Sequence, residues 1–201
     1  MTFIDLTHKI TNKIKEYPDD PKTELKFFKS ATKEDTLTLM EFKTGMHTGT
    51  HIDTSFHYIP NGNKITDLSI DDLCGEASII RSNSIEISIP PKKLEKIVII
   101  ITGAYDNFGS DKYFNENPYL SNESADILIK NNVKVVALDT CSVDKYGENK
   151  IHKKLLKNNI NIVENLTNTN QIKEGKYHAF FIPLKIESEA SPIRAFLKRI
   201  D

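Results

Sequence analysis

The sequence predicts a mixed α/β domain whose sheet curls toward a barrel, and three observations point there. Short apolar, β-branched segments outnumber amphipathic ones along the 201 residues. A β–α–β passage can be read across residues 97–101, 121–131 and 133–138, the crossover that a parallel strand pair needs. The run Ile97-Val98-Ile99-Ile100-Ile101 is apolar at consecutive positions, so both faces must be covered, as in a central strand.

Taken in order, Phe3-Ile4-Asp5-Leu6 reads as an opening strand. Tyr17-Pro18-Asp19-Asp20-Pro21 is a turn, because two prolines and two aspartates cannot continue a ladder. Residues 37–42 alternate imperfectly with branched and aromatic side chains, which predicts a strand feeding the Gly45 to Gly49 region. Residues 77–81 and 85–89 also read as strands, the second with period-two alternation before Pro90-Pro91. A helix is expected over 121–131: Ser121 can cap it, Glu123 favours its positive end, and Ile127 and Leu128 face inward. Val133 to Leu138 is a second buried strand ending at Asp139, and His152 to Lys157 is a short basic helix stopped by Asn158-Asn159. Residues 178–186, broken by Pro183, and 193–200 supply closing strands. With no repeat and no Gly/Ser-rich linker, residues 1–201 read as one domain.

Composition narrows the function. Twenty-seven Lys and Arg oppose 28 Asp and Glu, a net charge of −1, so no basic field is available to hold a nucleic acid. The longest aliphatic run, 97–101, falls far short of the ~18 residues of a spanning helix, and the N-terminal residues lack the pattern of a signal peptide. Cys74 and Cys141 are too few for a disulfide framework or a four-thiolate zinc site, and both are expected to be buried free thiols. The expectation is a cytoplasmic protein, with neither nucleic acid nor membrane as partner.

Chemistry concentrates in one place. Of six histidines, at 8, 47, 51, 57, 152 and 178, three fall in His47-Thr-Gly-Thr-His51-Ile-Asp53-Thr-Ser-Phe-His57. Clustered imidazoles beside a carboxylate are what a divalent metal of borderline softness requires. A straight strand would hold His47 and His51 about 13 Å apart. A continuous helix would bring those two together but turn Asp53 to another side. The chain must therefore bend, Gly49 gives it the freedom, and a loop entering a short helical turn is expected. His152 and Glu164 are further ligand-type residues. Glu164 follows apolar neighbours, where an unpaired carboxylate is costly and a cation would remove that cost. With them the set suffices for one or two ions, zinc or manganese alike. His8 and His178 are assigned structural roles. No serine or cysteine sits in a Gly-x-Ser-x-Gly elbow. Two other classes compete. A cupin-like oxygenase would space its first histidines as His-x-His, and a non-catalytic metal binder would keep the ligands without turnover.

The segment 47–57 resembles the H-x-G-T-H-x-D-x-P-x-H signature of the metal-dependent cyclase family, which includes bacterial kynurenine formamidases and isatin hydrolases. Ile4-Asp5-Leu6-Thr7 with Tyr17-Pro18-Asp19-Asp20, Thr102-Gly103-Ala104-Tyr105-Asp106, Leu138 to Asp144, His152, Glu164-Asn165-Leu166 and Ala190-Ser191-Pro192-Ile193-Arg194-Ala195 match later landmarks in order. The resemblance implies a swivelling β/α/β fold and an amide hydrolase, an arylformamidase or an isatin hydrolase-like enzyme, working as a homodimer. It implies one metal held by His47, His51 and Asp53 and a second by Asp53, His152 and Glu164, with Asp53 and Glu164 bridging. Zinc, two per subunit, is the first candidate and manganese the second. His57 becomes the catalytic proton donor and acceptor, and Tyr17 a substrate-binding residue. Three positions depart from the pattern. Ser55 replaces the signature proline, and Asp19 stands where glycine often follows Tyr-Pro, altering charge near the mouth of the site. Tyr17 replaces a substrate-packing tryptophan, a residue type the chain lacks.

Overall fold

The computed structural model describes residues 3–31 and 36–201. Strand β1 (Phe3–Asp5) is followed by β2 (Glu24–Lys29) and β3 (Leu39–Lys43), and then by β4 (His51–Asp53). Helix α1 (Ile70–Leu73) leads into β5 (Cys74–Arg81), β6 (Glu86–Ile87) and β7 (Ile97–Ile101). Next come α2 (Asp111–Asn115), β8 (Tyr119–Leu120), α3 (Asn122–Lys130) and β9 (Val135–Leu138). The chain ends with α4 (Lys150–Lys157), β10 (Asn161–Glu164), β11 (Tyr177–Pro183) and β12 (Ala190–Arg199).

Seven strands close on themselves in the order β12-β11-β5-β7-β9-β10-β4, because β4 pairs with both β10 and β12. The sheet is mixed: β5, β7, β9 and β10 run parallel, while β4, β11 and β12 pair antiparallel. One edge of β12 is shared, its first residues holding β4 and its last holding β1. Closure removes exposed strand edges, which explains why so many short strands hold together.

The curled mixed sheet is the predicted one, and β7 shows why it was legible. Ile97, Ile99 and Ile101 join Val135, Ala137, Phe181 and Leu197 inside the barrel. Val98 and Ile100 face the other way, against Leu128 of α3 and Leu155 of α4. Helix α3 matches expectation, with the Ser121 hydroxyl accepting from the Ser124 N–H at 3.1 Å. Leu128 is fully buried, and Ile127 is half-buried. Asp139, fully buried at the end of β9, accepts from the Thr102 N–H and hydroxyl, the Gly103 N–H and the Thr169 hydroxyl, tying two strand ends to a loop.

Some elements differ from expectation. The strand over 85–89 shrinks to β6, which among the described residues pairs with β8 alone. The Ile89 N–H turns to the Ser124 hydroxyl at 2.8 Å instead of a ladder. Strands β2, β4, β8 and β10 and helices α1 and α2 are short, and their sequences show no clear period. Cys141 is buried as expected but Cys74 is only half-buried; both are free thiols. No helix among the described residues is long and apolar enough to cross a membrane.

Since β7 is covered on both faces, Ile99→Ala and Ile100→Ala should each cost about 2–5 kcal/mol in urea unfolding. A cost confined to one of them would mean that β7 has an open face.

Candidate metal centre

The site forms where β4 meets β10. Glu164 lies directly across from His51, and Asp53 from Ile162. Side chains alternate across a strand. Ile52 and Val163 enter the barrel core, so His51, Asp53 and Glu164 face outward, toward α4. There Leu155 and Leu156 anchor the helix and His152 lies buried one turn before Leu156. His47 arrives from the preceding loop. Gly49, at φ +63°, makes the bend that lets His47 fold back over the strand. The bend was expected; the short strand after it, in place of a loop running straight into a helical turn, was not. Residues 55–57 then form a 3-10 turn that brings His57 within 4.4 Å of the His47 ring, centroid to centroid.

The distances are short throughout. His47 Nδ1 lies 3.0 Å and His51 Nε2 3.4 Å from Asp53 Oδ1. His152 Nε2 lies 3.7 Å from Asp53 Oδ2 and 3.1 Å from Glu164 Oε1. His51 Nε2 is 3.5 Å from Glu164 Oε2. Two groups result, His47/His51/Asp53 and Asp53/His152/Glu164, each with ligand atoms within 4.8 Å of one another. All five ligand-type residues named from the sequence are therefore brought together, with Asp53 common to both groups.

The donor set fits a divalent cation on a physical test. Among the described residues five buried side-chain polar atoms lack a hydrogen-bond partner, and three of them are His51 Nε2, Asp53 Oδ1 and Asp53 Oδ2. Orphaned buried carboxylate oxygens are costly, and a cation between them satisfies all three atoms at once. Protonation follows the same logic. Burial opposes the charged form of His47, yet Asp53 outweighs it and pushes the imidazole up to about 10. Burial likewise opposes His152, but Glu164 and Asp144 raise it well above its usual value. Burial would raise Asp53, but His47 and His51 hold it well below the usual carboxylate range.

A cavity of about 230 Å³ opens beside these groups, walled by Tyr17, Tyr58, Phe108 and Phe114, with Lys15, Asp20 and Glu148 also lining it. Tyr17 is half-buried and meets Phe114 edge-on at 5.7 Å. Asp19 is at φ +70°, which accounts for a glycine preference there by backbone conformation. The residue that adds charge to the cavity lining is its neighbour Asp20. Ser55, in place of the signature proline, accepts from the Asn63 N–H at 2.7 Å and so holds the turn. Gly62 packs against that turn so closely that a Cβ would sit 2.5 Å from the Ser55 carbonyl carbon. His8 stacks on Phe108 at 3.7 Å, burial pushing its pKa down to about 4, and the half-exposed His178 lies beside Glu76. Neither belongs to the ligand groups.

Sequence reasoning did not single out Asp144, Asn165 or Glu189. Asp144 Oδ2 lies 2.7 Å from His152 Nδ1. The Asn165 amide donates to the Gly49 carbonyl at 3.0 Å, and that carbonyl lies 2.9 Å from His51 Nδ1. Tyr113 donates its hydroxyl to Asn165 Oδ1 at 2.7 Å. The signal was present only as the motif stretches that contain Asp144 and Asn165.

Comparison with known proteins agrees with this geometry. The family described as "Putative cyclase" matches residues 4–145. A kynurenine formamidase of Bacillus cytotoxicus is 30% identical over 208 residues, covering 98% of this chain and 97% of its own. One of Bacillus thuringiensis is 28% identical with 98% of each chain covered. Among solved structures, a potential metal-dependent hydrolase with cyclase activity superposes at TM-score 0.83 with 21% identity, covering 100% of this chain and 98% of its own. Isatin hydrolase A from Labrenzia aggregata superposes at 0.82 with 18% identity, covering 98% and 93%. These last two likenesses concern the fold.

A cation taken up here must displace the protons on His47 and His152. In metal-free protein, apparent affinity should rise with pH from 6 to 8 by about tenfold or more per unit, with proton release in calorimetry. A pH-independent affinity would contradict the protonated state. By the same shift, the stability His47 lends the metal-free fold is full below about 6.5 and lost as pH rises through about 10.

Proposed function

The chain belongs to the cyclase family, and on that premise we propose that it is a metal-dependent hydrolase of aryl amides, with an N-formylated arylamine such as N-formylkynurenine as substrate. One observation carries the reading: five ligand-type side chains and His57 converge on a single aromatic-walled cavity. His47, His51 and Asp53 would hold one cation and Asp53, His152 and Glu164 another, with Asp53 common to both groups; zinc is the first candidate and manganese the second. Bound there, a divalent cation supplies the acidity that activates water near neutral pH and the charge that polarises an amide carbonyl.

The residues of the chain do the rest. Burial lowers His57 below its usual 6.5, against the opposing pull of Asp53. The ring is therefore neutral at pH 7, able to accept a proton from water and return it to the departing nitrogen. Tyr17 and Phe114 offer an aryl ring a face to pack on. A cyclic aryl amide such as isatin is the second reading, supported by the fold shared with isatin hydrolase A at TM-score 0.82.

Homodimer formation belongs to this proposal. Among the described residues the β2–β3 hairpin pairs with no other strand, and it exposes Phe27, Phe28, Leu39, Met40 and Phe42, Phe27 at 63%. Apolar patches of that kind mark interfaces, and a second copy of this chain is the occupant that the resemblance implies. Two free thiols suit a reducing cytoplasm.

His57→Ala should leave metal content unchanged and cut turnover about 10²–10⁴-fold. Formate release from N-formylkynurenine and ring opening of isatin, measured beside metal analysis, check this. Normal turnover in the variant removes the role of His57. Absence of both reactions in the metal-loaded wild type removes the substrate reading. The paired change Phe27→Asp and Met40→Asp should shift the protein to monomer in light scattering.

A further inference from the structure

Each imidazole in the two ligand groups has a second nitrogen; those of His51 and His152 lie within hydrogen-bond distance of an acceptor, and that of His47 lies within ion-pair distance of Glu189. His51 presents Nδ1 to the Gly49 carbonyl at 2.9 Å, leaving Nε2 toward Asp53 and Glu164. His152 presents Nδ1 to Asp144 at 2.7 Å, again leaving Nε2 inward. His47 is reversed: Nδ1 faces Asp53 at 3.0 Å and Nε2 points outward, 3.6 Å from Glu189 Oε1.

From this geometry we infer that Glu189 and Asp144 are positioning residues that set ring orientation and tautomer, so that His47 offers Nδ1 to a cation while His51 and His152 offer Nε2. The inference rests on the metal-dependent reading above. A ligating histidine commonly donates its other N–H to a carboxylate or carbonyl, which fixes the ring and raises its basicity.

The two carboxylates are held for the task. Asp144 is buried at 1% exposure, and its oxygens also accept the backbone N–H groups of Ile151 at 2.7 Å and His152 at 2.9 Å. It thereby satisfies the first turn of α4, whose N-cap residue Asn149 makes no side-chain capping bond. The clamp on the ring and the seat of the helix are one group. Glu189 is more open, its side chain about a third exposed. Its carbonyl, however, accepts both the N–H and the hydroxyl of Thr54, at 2.9 and 2.8 Å. The next residue, Ala190, pairs across from Asp53. Glu189 is therefore set beside His47 by the same pairing that closes the barrel.

The test is long-range ¹H–¹⁵N correlation of the histidine rings in ¹⁵N-labelled, zinc-loaded protein, with stepwise zinc affinities from competition with a chelator. His47 should appear metallated at Nδ1 with a proton on Nε2, and His51 and His152 the opposite. Glu189→Gln should mix the His47 tautomers and weaken the His47/His51/Asp53 group about 10–100-fold, leaving the His152 signals in place. Asp144→Asn keeps an acceptor for Ile151 but should perturb His152 alone and weaken the other group by a similar factor. Wild-type His47 metallated at Nε2 would overturn the inference while leaving the metal reading intact. Lower affinity in Glu189→Gln with an unchanged His47 tautomer would also overturn it, since Glu189 would then act through charge alone. Failure of the wild type to bind zinc or manganese would overturn both.

Discussion

The structure depends on one buried carboxylate. Asp53 has both oxygens out of water and, among the described residues, without a hydrogen bond of good geometry, while His47, His51 and His152 ring it at ion-pair distances with Glu164 close by. An isolated ionised carboxylate in such a place is very unfavourable. The surroundings therefore have to supply positive charge, either as protonated imidazoles or as a cation. Much of the local architecture follows from that demand. Strand β4 is pinned on both edges so that Asp53 cannot swing into solvent. Gly49 bends the chain so that His47 returns over it. Glu164 donates nothing as a carboxylate but accepts the Val143 N–H at 3.1 Å, which holds it in register with His51.

The same arrangement mixes buried and half-buried groups around one cavity. His51, Asp53, His152 and Glu164 are buried, His47 and His57 are half-buried, and the aromatic wall combines half-buried Tyr17, Tyr58 and Phe108 with buried Phe114. Because His57 sits in a 3-10 turn and not in a strand, it can adjust by a torsion without disturbing β4. The turn is nonetheless held by Ser55 and the close approach of Gly62, so its freedom is local.

Periodicity made part of this visible in the amino-acid string. Ile97 to Ile101 has no polar face, and only a strand covered on both sides accepts that pattern. Ser121 with Leu128 one face away announced α3. The histidine cluster and Asp53 announced the metal chemistry by residue type alone. What stayed hidden depends on pairing between distant segments. Strand β4 is three residues long and is defined by β10 and β12, more than a hundred residues later. Residues 85–89 alternate cleanly, yet a serine hydroxyl takes the N–H that would have continued the ladder. Glu189 reads as a surface glutamate until the barrel closes and sets it against His47. The Asp19-Asp20 pair shows the limit from the other side: both are acidic neighbours, but only the backbone angle reveals that the first serves the turn and the second the cavity.

The double use of β12 has a consequence for biogenesis. Strand β4 obtains both of its neighbours from the last fifth of the polypeptide, residues 161–164 and 190–192. A nascent chain still tethered at residue 150 would carry the histidine cluster with neither flanking strand in place. Such long-range pairing makes closure a late and comparatively slow event. Assembly of the two ligand groups must then follow emergence of the final segment from the ribosome, and a truncated product would leave its histidines without the carboxylate of Glu164 beside them.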